Sequence, residues 1–343
     1  MASHLFASDN ASGVAPEVLH WLTRASRDHV SGYGSDRWTR QAEQAFAEHF
    51  GTEARVFMVT TGTACNVLAL QSGLCSTDAL FCSDVAHVHV DECGAPERMI
   101  GCKLVSVASV QGKLDLPQLQ AALIFQNDLP HRNRPAMVSL SQATEYGTLY
   151  SIDELRSLVR WAHRHGLKVH LDGARLANAA VALNVSLAAL SRDVGVDVLS
   201  FGGTKNGLMM AEAVICFDDG LATCFEGIRK QGMQLVSKHR FLAAQFLAYF
   251  ENDLWQTHAR QANAMARLLR AHLAQCPQVR LTAPTQVNMV FVEVPETWVQ
   301  PLQAYCACNR WLPGSSELRF VTSFDTTEAD IAALIQHMQR LAS

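Results

Sequence analysis

The chain has 343 residues, 49% hydrophobic and 17% charged, and its 28 basic against 32 acidic side chains leave a net charge of −4. That length accommodates a large α/β unit with a smaller appendage. The slightly acidic balance offers no footing for a nucleic acid or an anionic membrane, and no apolar run approaches the ~20 residues that cross a bilayer. The start, Met-Ala-Ser-His-Leu-Phe-Ala-Ser-Asp, lacks the charged-then-apolar layout of a signal peptide. Ten cysteines are scattered, and Cys306-Ala307-Cys308 is too tight for a zinc knuckle and has no second pair. Reduced thiols in a cytoplasmic protein are the expectation.

In chain order, residues 37–73 read as helix, strand, helix. The strand Val56-Phe57-Met58-Val59 runs into a Thr61-Gly62-Thr63 turn, and a helix follows to about Gln71. Short strands are expected near 79–82 and 103–107, then a surface loop over 126–136 that contains Pro130 and Pro135. A strand over 137–142, a helix over 151–165, a strand closing at Asp172 and another closing near Ser200 come next. After the strand at 213–217 the pattern turns helical over 220–250 and 253–275. Strands at 288–294 and 318–324 and a helix over 327–340 end the chain, the last introduced by the cap-like Asp325-Thr326-Thr327-Glu328. Apolar strands alternating with helices imply an α/β fold with a mostly parallel sheet covered on both faces. Ligands then gather at the carboxyl ends of the strands. A large domain is expected over 1–244 and a smaller C-terminal α+β domain over 245–343.

Two strand ends carry chemistry. Phe201-Gly202-Gly203-Thr204-Lys205-Asn206-Gly207 puts one lysine just past an apolar strand, among small residues that let a ligand approach closely. Such a lysine suits a Schiff base, its amine partly desolvated and aimed at an aldehyde; the alternative is a solvated lysine in a glycine turn. Upstream, Val169-His170-Leu171-Asp172-Gly173-Ala174-Arg175 ends a strand on an aspartate. That acid would hold a pyridine nitrogen protonated, or else cap the helix that begins near Arg175. The Gly62 and Thr63 helix start would cradle a phosphate, although helices also begin this way for structural reasons alone. Together these contacts match the aldehyde, ring nitrogen and phosphate of pyridoxal 5′-phosphate.

The chain resembles the low-specificity L-threonine aldolase family, within the aspartate-aminotransferase-like (fold type I) pyridoxal-phosphate enzymes. The resemblance is carried nearly end to end by Phe6-Ala7-Ser8-Asp9-Asn10, Tyr33-Gly34-Ser35-Asp36, Thr61-Gly62-Thr63, Ala86-His87, Asp91 through Glu97, His170 through Arg175, the Lys205 loop and Arg319. It implies that Lys205 tethers the cofactor, Asp172 meets its ring nitrogen, Gly62 and Thr63 hold the phosphate, and His87 covers one face of the ring. Arg175 and Arg319 would clamp the substrate carboxylate with Ser8 assisting, a task that suits the planar guanidinium fork. Surface salt bridges are the alternative for both arginines. His87 reads otherwise as an ordinary strand histidine; His87-Val88-His89 has no spaced partner to complete a metal site, and none is expected. Tyr33 would lie near the active site, often that of a neighbouring subunit, and a homodimer or homotetramer follows, with 227–232 a candidate contact.

One departure stands out. Where many members carry Asn-Thr-His, this chain reads Gln142-Ala143-Thr144-Glu145, a glutamate replacing an active-site histidine. The implied reaction is retro-aldol cleavage of L-threonine, L-allo-threonine and related β-hydroxy-α-amino acids to glycine and an aldehyde, acetaldehyde in the case of threonine. His87, Glu145 or water would take the β-hydroxyl proton. Phenylserine-type cleavage or β-elimination on the same scaffold, a non-catalytic cofactor-binding protein, and a phosphate site for another ligand remain the competing readings.

Overall fold

A computed structural model describes residues 5–342. Helix α1 (Pro16–Ala25) begins on a proline, whose missing N–H is no loss at a first turn. Helix α2 (Arg37–Phe50) is capped by Asp36, which accepts the Thr39 N–H at 2.9 Å. Strand β1 (Arg55–Val59) leads into α3 (Gly62–Gln71), and β2 (Asp78–Ser83) into the short α4 (His87–Val90) and α5 (Ala95–Ile100). Then follow β3 (Lys103–Val107), α6 (Leu116–Gln126), β4 (Arg134–Ser141), α7 (Ile152–Arg164), β5 (Lys168–Gly173), α8 (Leu176–Leu183), β6 (Val198–Gly202) and β7 (Glu212–Cys216).

These strands form one sheet in the order β1-β7-β6-β5-β4-β2-β3, parallel except where β7 runs against both neighbours. Their apolar content explains this: β2, β5, β6 and β7 are buried almost throughout, as strands covered on both faces must be. Register aligns the strand ends, with Ser141 opposite Asp172 and Asp172 opposite Ser200. Three polar side chains thus stand in a row at one edge of an apolar sheet. Beneath them Phe201 is fully buried among Phe46, Phe50, Phe246, Tyr249 and Phe250, with ring centroids 5.2 to 6.3 Å away. That packing anchors the strand that delivers Lys205.

Beyond the sheet come α9 (Asp219–Ala222), α10 (Phe225–Gln231), α11 (Arg240–Phe250) and the long α12 (Leu254–Leu273). The continuous helix expected over 220–250 is therefore three helices. Gly232 ends α10 against the Leu68 side chain, and Gln234 leaves the helical path to accept the Thr60 N–H and hydroxyl at 2.9 and 2.7 Å. The loop expected to 136 is shorter, because Arg134 already pairs with Asp78 as β4 begins. Neither α1 nor α6 was legible as a helix. A second antiparallel sheet, β10-β11-β9-β8, is built from β8 (Arg280–Leu281), β9 (Met289–Glu293), β10 (Asn309–Arg310) and β11 (Glu317–Val321). It packs with α13 (Glu296–Cys306) and α14 (Glu328–Ala342) around Phe320, Leu302 and Leu334. Phe6 joins this core, its N–H donating to the Cys306 carbonyl and its carbonyl accepting from Val321. The N-terminal strap is thereby carried back to the main sheet.

Candidate active site

A cavity opens at the carboxyl ends of β4, β5 and β6, lined among others by Gly62, Asn66, His87, Glu145, Asp172, Arg175, Lys205 and Glu212. Lys205 sits in a tight turn after β6. Asn206 locks that turn by donating from Nδ2 to the Tyr249 hydroxyl at 2.8 Å and to the Trp255 carbonyl at 3.0 Å. Gly207 closes it at φ +103°, where a Cβ would fall 2.7 Å from His258 Nδ1. Gly202 has no room for one either, since its Cβ would lie 2.5 Å from the Ala174 carbonyl oxygen. Burial and the nearby Arg175 charge hold the Lys205 amine below the usual lysine range. Lys205 is largely buried in the lining of this cavity and so is not the solvated turn lysine, and no ion pair among the described residues engages it.

Asp172 does not cap α8, whose N-cap is Arg175 without any side-chain cap bond. Its Oδ1 accepts the Ala174 N–H at 3.0 Å and its Oδ2 accepts from Asn66 Nδ2 at 2.9 Å. Burial alone would raise its pKa, but His87, the Ala174 N–H, His170 and Lys205 together hold it below the ordinary value. Below it His170 is clamped between Ser139 Oγ at 2.8 Å and Ser200 Oγ at 2.9 Å, and burial pushes its pKa down to about 4.

At α3 the cap is Thr61, which accepts the Ala64 N–H at 3.2 Å and leaves the Gly62 and Thr63 N–H groups pointing out of the helix start. A Cβ on Gly62 would meet nothing within 4 Å, so the backbone there faces open space. Thr63 is half-buried beside the cavity lining. His87 begins a short helix, not a strand; its Nδ1 lies 2.8 Å from Glu92 Oε1, and that bond raises the imidazole pKa. Glu145 accepts from Ser141 Oγ at 2.8 Å and the His87 N–H at 3.0 Å, both through Oε1. Its Oε2 is buried without a partner, and burial pushes the carboxyl up to about 7.

Arg175 is gripped by Asp9, Nε to Oδ2 at 2.7 Å and Nη2 to Oδ1 at 2.9 Å, while Asn288 Nδ2 donates to the same carboxylate at 3.0 Å. This pair is buried, not a surface bridge, and Nη1 is left for a ligand. Arg319, on β11, has no carboxylate partner among the described residues; its Nε is buried and unbonded, and burial with the Arg175 charge lowers its pKa to about 10. It lies outside the cavity lining proper, over the Trp311 ring at 5.1 Å. Ser8 caps the short turn that begins at Asp9 and donates to Asp9 Oδ1 at 3.3 Å. Tyr33 is not brought in: it is 55% exposed, away from this cavity, with Lys230 Nζ 5.3 Å over its ring.

A family model described as beta-eliminating lyase matches residues 6–296. A low specificity L-threonine aldolase of Pseudomonas sp. is 39% identical over 342 residues, covering 99% of each chain. Another from Pseudomonas aeruginosa is 41% identical over 322 residues, 94% of this chain and 93% of its own. The chain belongs to the low-specificity L-threonine aldolase family. A solved Leishmania major threonine aldolase superposes with a TM-score of 0.91 at 28% identity, over 99% of this chain and 100% of that one.

The aldolase is accordingly a pyridoxal-phosphate enzyme of fold type I, and its own residues fit the cofactor. A lysine amine without an ion pair among the described residues, a low-pKa carboxylate and an open glycine at a helix start line one cavity. Four polar groups of this site escaped the sequence reading: Asp9, Asn66, Glu92 and Glu212. Asp9 and Glu92 adjoin or fall within motifs already singled out, and Asn66 lies one helical turn past Gly62. Glu212, which accepts the Gly203 N–H at 3.0 Å and is pushed up to about 7 by burial, gave no local signal in its apolar strand.

Proposed function

We propose that this aldolase cleaves L-threonine, L-allo-threonine and related β-hydroxy-α-amino acids to glycine and an aldehyde, with the cofactor tethered at Lys205. The observation that carries the reading is one cavity holding the Lys205 amine, the Asp172 carboxylate and the Glu145 carboxyl beside a preset Arg175. Pyridoxal phosphate, when bound, supplies the sink for the electrons of the bond that breaks at the substrate Cα. Asp172, ionised, would keep the ring nitrogen protonated, and the Gly62 and Thr63 N–H groups would hold the phosphate. His87 would cover the ring.

Arg175 and Arg319 bind the substrate carboxylate, with Ser8 assisting. Because Asp9 already orients Arg175, little rotamer freedom is lost when the substrate arrives. The clamp fixes which bond at Cα stands across the ring plane, and so which bond breaks. Of the candidate bases, Glu145 is preferred: its free Oε2 and pKa of about 7 suit proton acceptance near neutrality. It takes the β-hydroxyl proton, the Cα–Cβ bond opens, the aldehyde departs and Cα regains a proton as glycine.

A homodimer or homotetramer is part of the proposal, supported by an exposed Tyr33 that has no role at its own chain's cavity. A cytoplasmic setting is supported by ten free thiols, six of them buried: Cys65, Cys82, Cys102, Cys216, Cys306 and Cys308. Among the described residues no helix is long and apolar enough to cross a membrane. The proposed division into a large domain over 1–244 and a small one over 245–343 is supported by a separate second core that takes Leu269 and Leu273 of α12, while Phe246 and Trp255 still pack in the main core. Lys205→Ala tests the central assignment. It is expected to abolish turnover and the visible band of the bound cofactor; normal turnover with the band retained would refute it. Rates and products with threonine, phenylserine and serine separate threonine cleavage from phenylserine-type cleavage and β-elimination.

A further inference from the structure

One amide group stands between two buried carboxylates at the floor of the cavity. Asn66 Nδ2 donates to Asp172 Oδ2 at 2.9 Å and to Glu92 Oε1 at 2.8 Å. The same Glu92 oxygen lies 2.8 Å from His87 Nδ1. The donor Asn66 and both acceptors, Glu92 and Asp172, are less than 10% exposed. Both hydrogens of a single NH₂ are used, which only a carboxamide provides in this shape. Its orientation is determined, because flipping the amide would set Oδ1 against two carboxylate oxygens. That orientation is kept although it leaves Asn66 Oδ1 and Glu92 Oε2 buried without partners, an arrangement that costs about 1–3 kcal/mol for each such group.

We propose that Asn66 and Glu92 are positioning residues: Asn66 ties the acid beneath the cofactor ring nitrogen to Glu92, and Glu92 holds His87 as its Nδ1–H tautomer with Nε2 free. The importance of this link rests on the roles given above to Asp172 and His87, but its geometry does not. Glu92 accepts, so His87 Nδ1 must donate, and the ring plane is fixed by that bond. The charged and titratable groups around His87 are Glu92 on the following turn, Asp172 on β5, Lys205 after β6, and Glu145, which takes the His87 N–H. A shift at one end of the chain Asp172–Asn66–Glu92–His87 is therefore felt at the other.

The test starts on the apoprotein labelled with ¹⁵N-histidine, read by NMR across pH. Wild type is expected to show His87 in the Nδ1–H form with a midpoint above that of a free histidine; an Nε2–H form would overturn the proposal before any variant is made. Glu92→Gln is expected to lower the His87 midpoint by at least about one unit and to mix the tautomers. Asn66→Ala is expected to weaken pyridoxal-phosphate binding by about tenfold or more, with circular dichroism unchanged. A His87 midpoint unmoved in Glu92→Gln, or cofactor affinity unmoved in a folded Asn66→Ala, would overturn it. Failure of the Lys205 assignment would show instead as retained cofactor in Lys205→Ala, with the apoprotein spectra unaffected.

Discussion

Replacing Glu145 by Gln isolates a single ionisation. The amide keeps an acceptor for Ser141 Oγ and the His87 N–H, which now approach Glu145 Oε1 at 2.8 and 3.0 Å, and it removes the acid. In the folded chain this carboxyl titrates at about 7 against an ordinary 4.5, chiefly because it is buried. The fold therefore holds the proton more tightly than the unfolded chain does. The associated stability is fully present below about pH 4.5 and is lost as pH rises through about 7. At about 1.4 kcal/mol per unit, ionising Glu145 destabilises the folded apoprotein by about 3 kcal/mol on the alkaline side. Urea unfolding of the two apoproteins from about pH 5 to pH 9 measures it: wild type should lose about 3 kcal/mol relative to Glu145→Gln over that range. Turnover should change in parallel, with kcat/KM of wild type rising through about pH 7 and the variant lower by about 10²–10⁴-fold without that limb. A stability difference independent of pH would refute the ionisation argument. Unchanged turnover in the variant would remove Glu145 as the base and return the role to His87 or water.

Asp9→Asn keeps the shape of the buried partner of Arg175 but removes its charge; KM for β-hydroxy amino acids should rise about tenfold or more, with a smaller change in kcat, in steady-state assays. Arg319→Leu should raise KM by about 10–100-fold and yet raise the Tm of the apoprotein, because a half-buried cation without a carboxylate partner is replaced by an apolar side chain. A lowered Tm with unchanged KM would show that Arg319 is structural. Phe201→Ala, emptying the centre of the aromatic cluster under the lysine turn, should cost about 3–5 kcal/mol in denaturant unfolding. Its loss should exceed that of any surface substitution on α6.

The chain order of strands and helices, the strand-end aspartate and the lysine turn are properties of short windows. Apolar runs ending at Asp172 and at Phe201, and glycines around Lys205, are visible because strand burial and turn conformation are set by neighbouring residues. The same locality explains the failures. A helix over 220–250 satisfies helical spacing, and only the packing of Gly232 on Leu68 and the tie from Gln234 to Thr60 break it. Long-range partners were out of reach altogether: Arg175 meets Asp9 across 166 positions, and Asn66 meets Asp172 across 106. The exposure that removes Tyr33 from its own chain's cavity is likewise a result of folding. Residue types at strand ends declared which groups were available for chemistry. Their charge states, the tautomer of His87 and the near-neutral pKa of Glu145 depend on burial and on partners distant in sequence, which exist only after the sheet, the N-terminal strap and α3 have closed on one another.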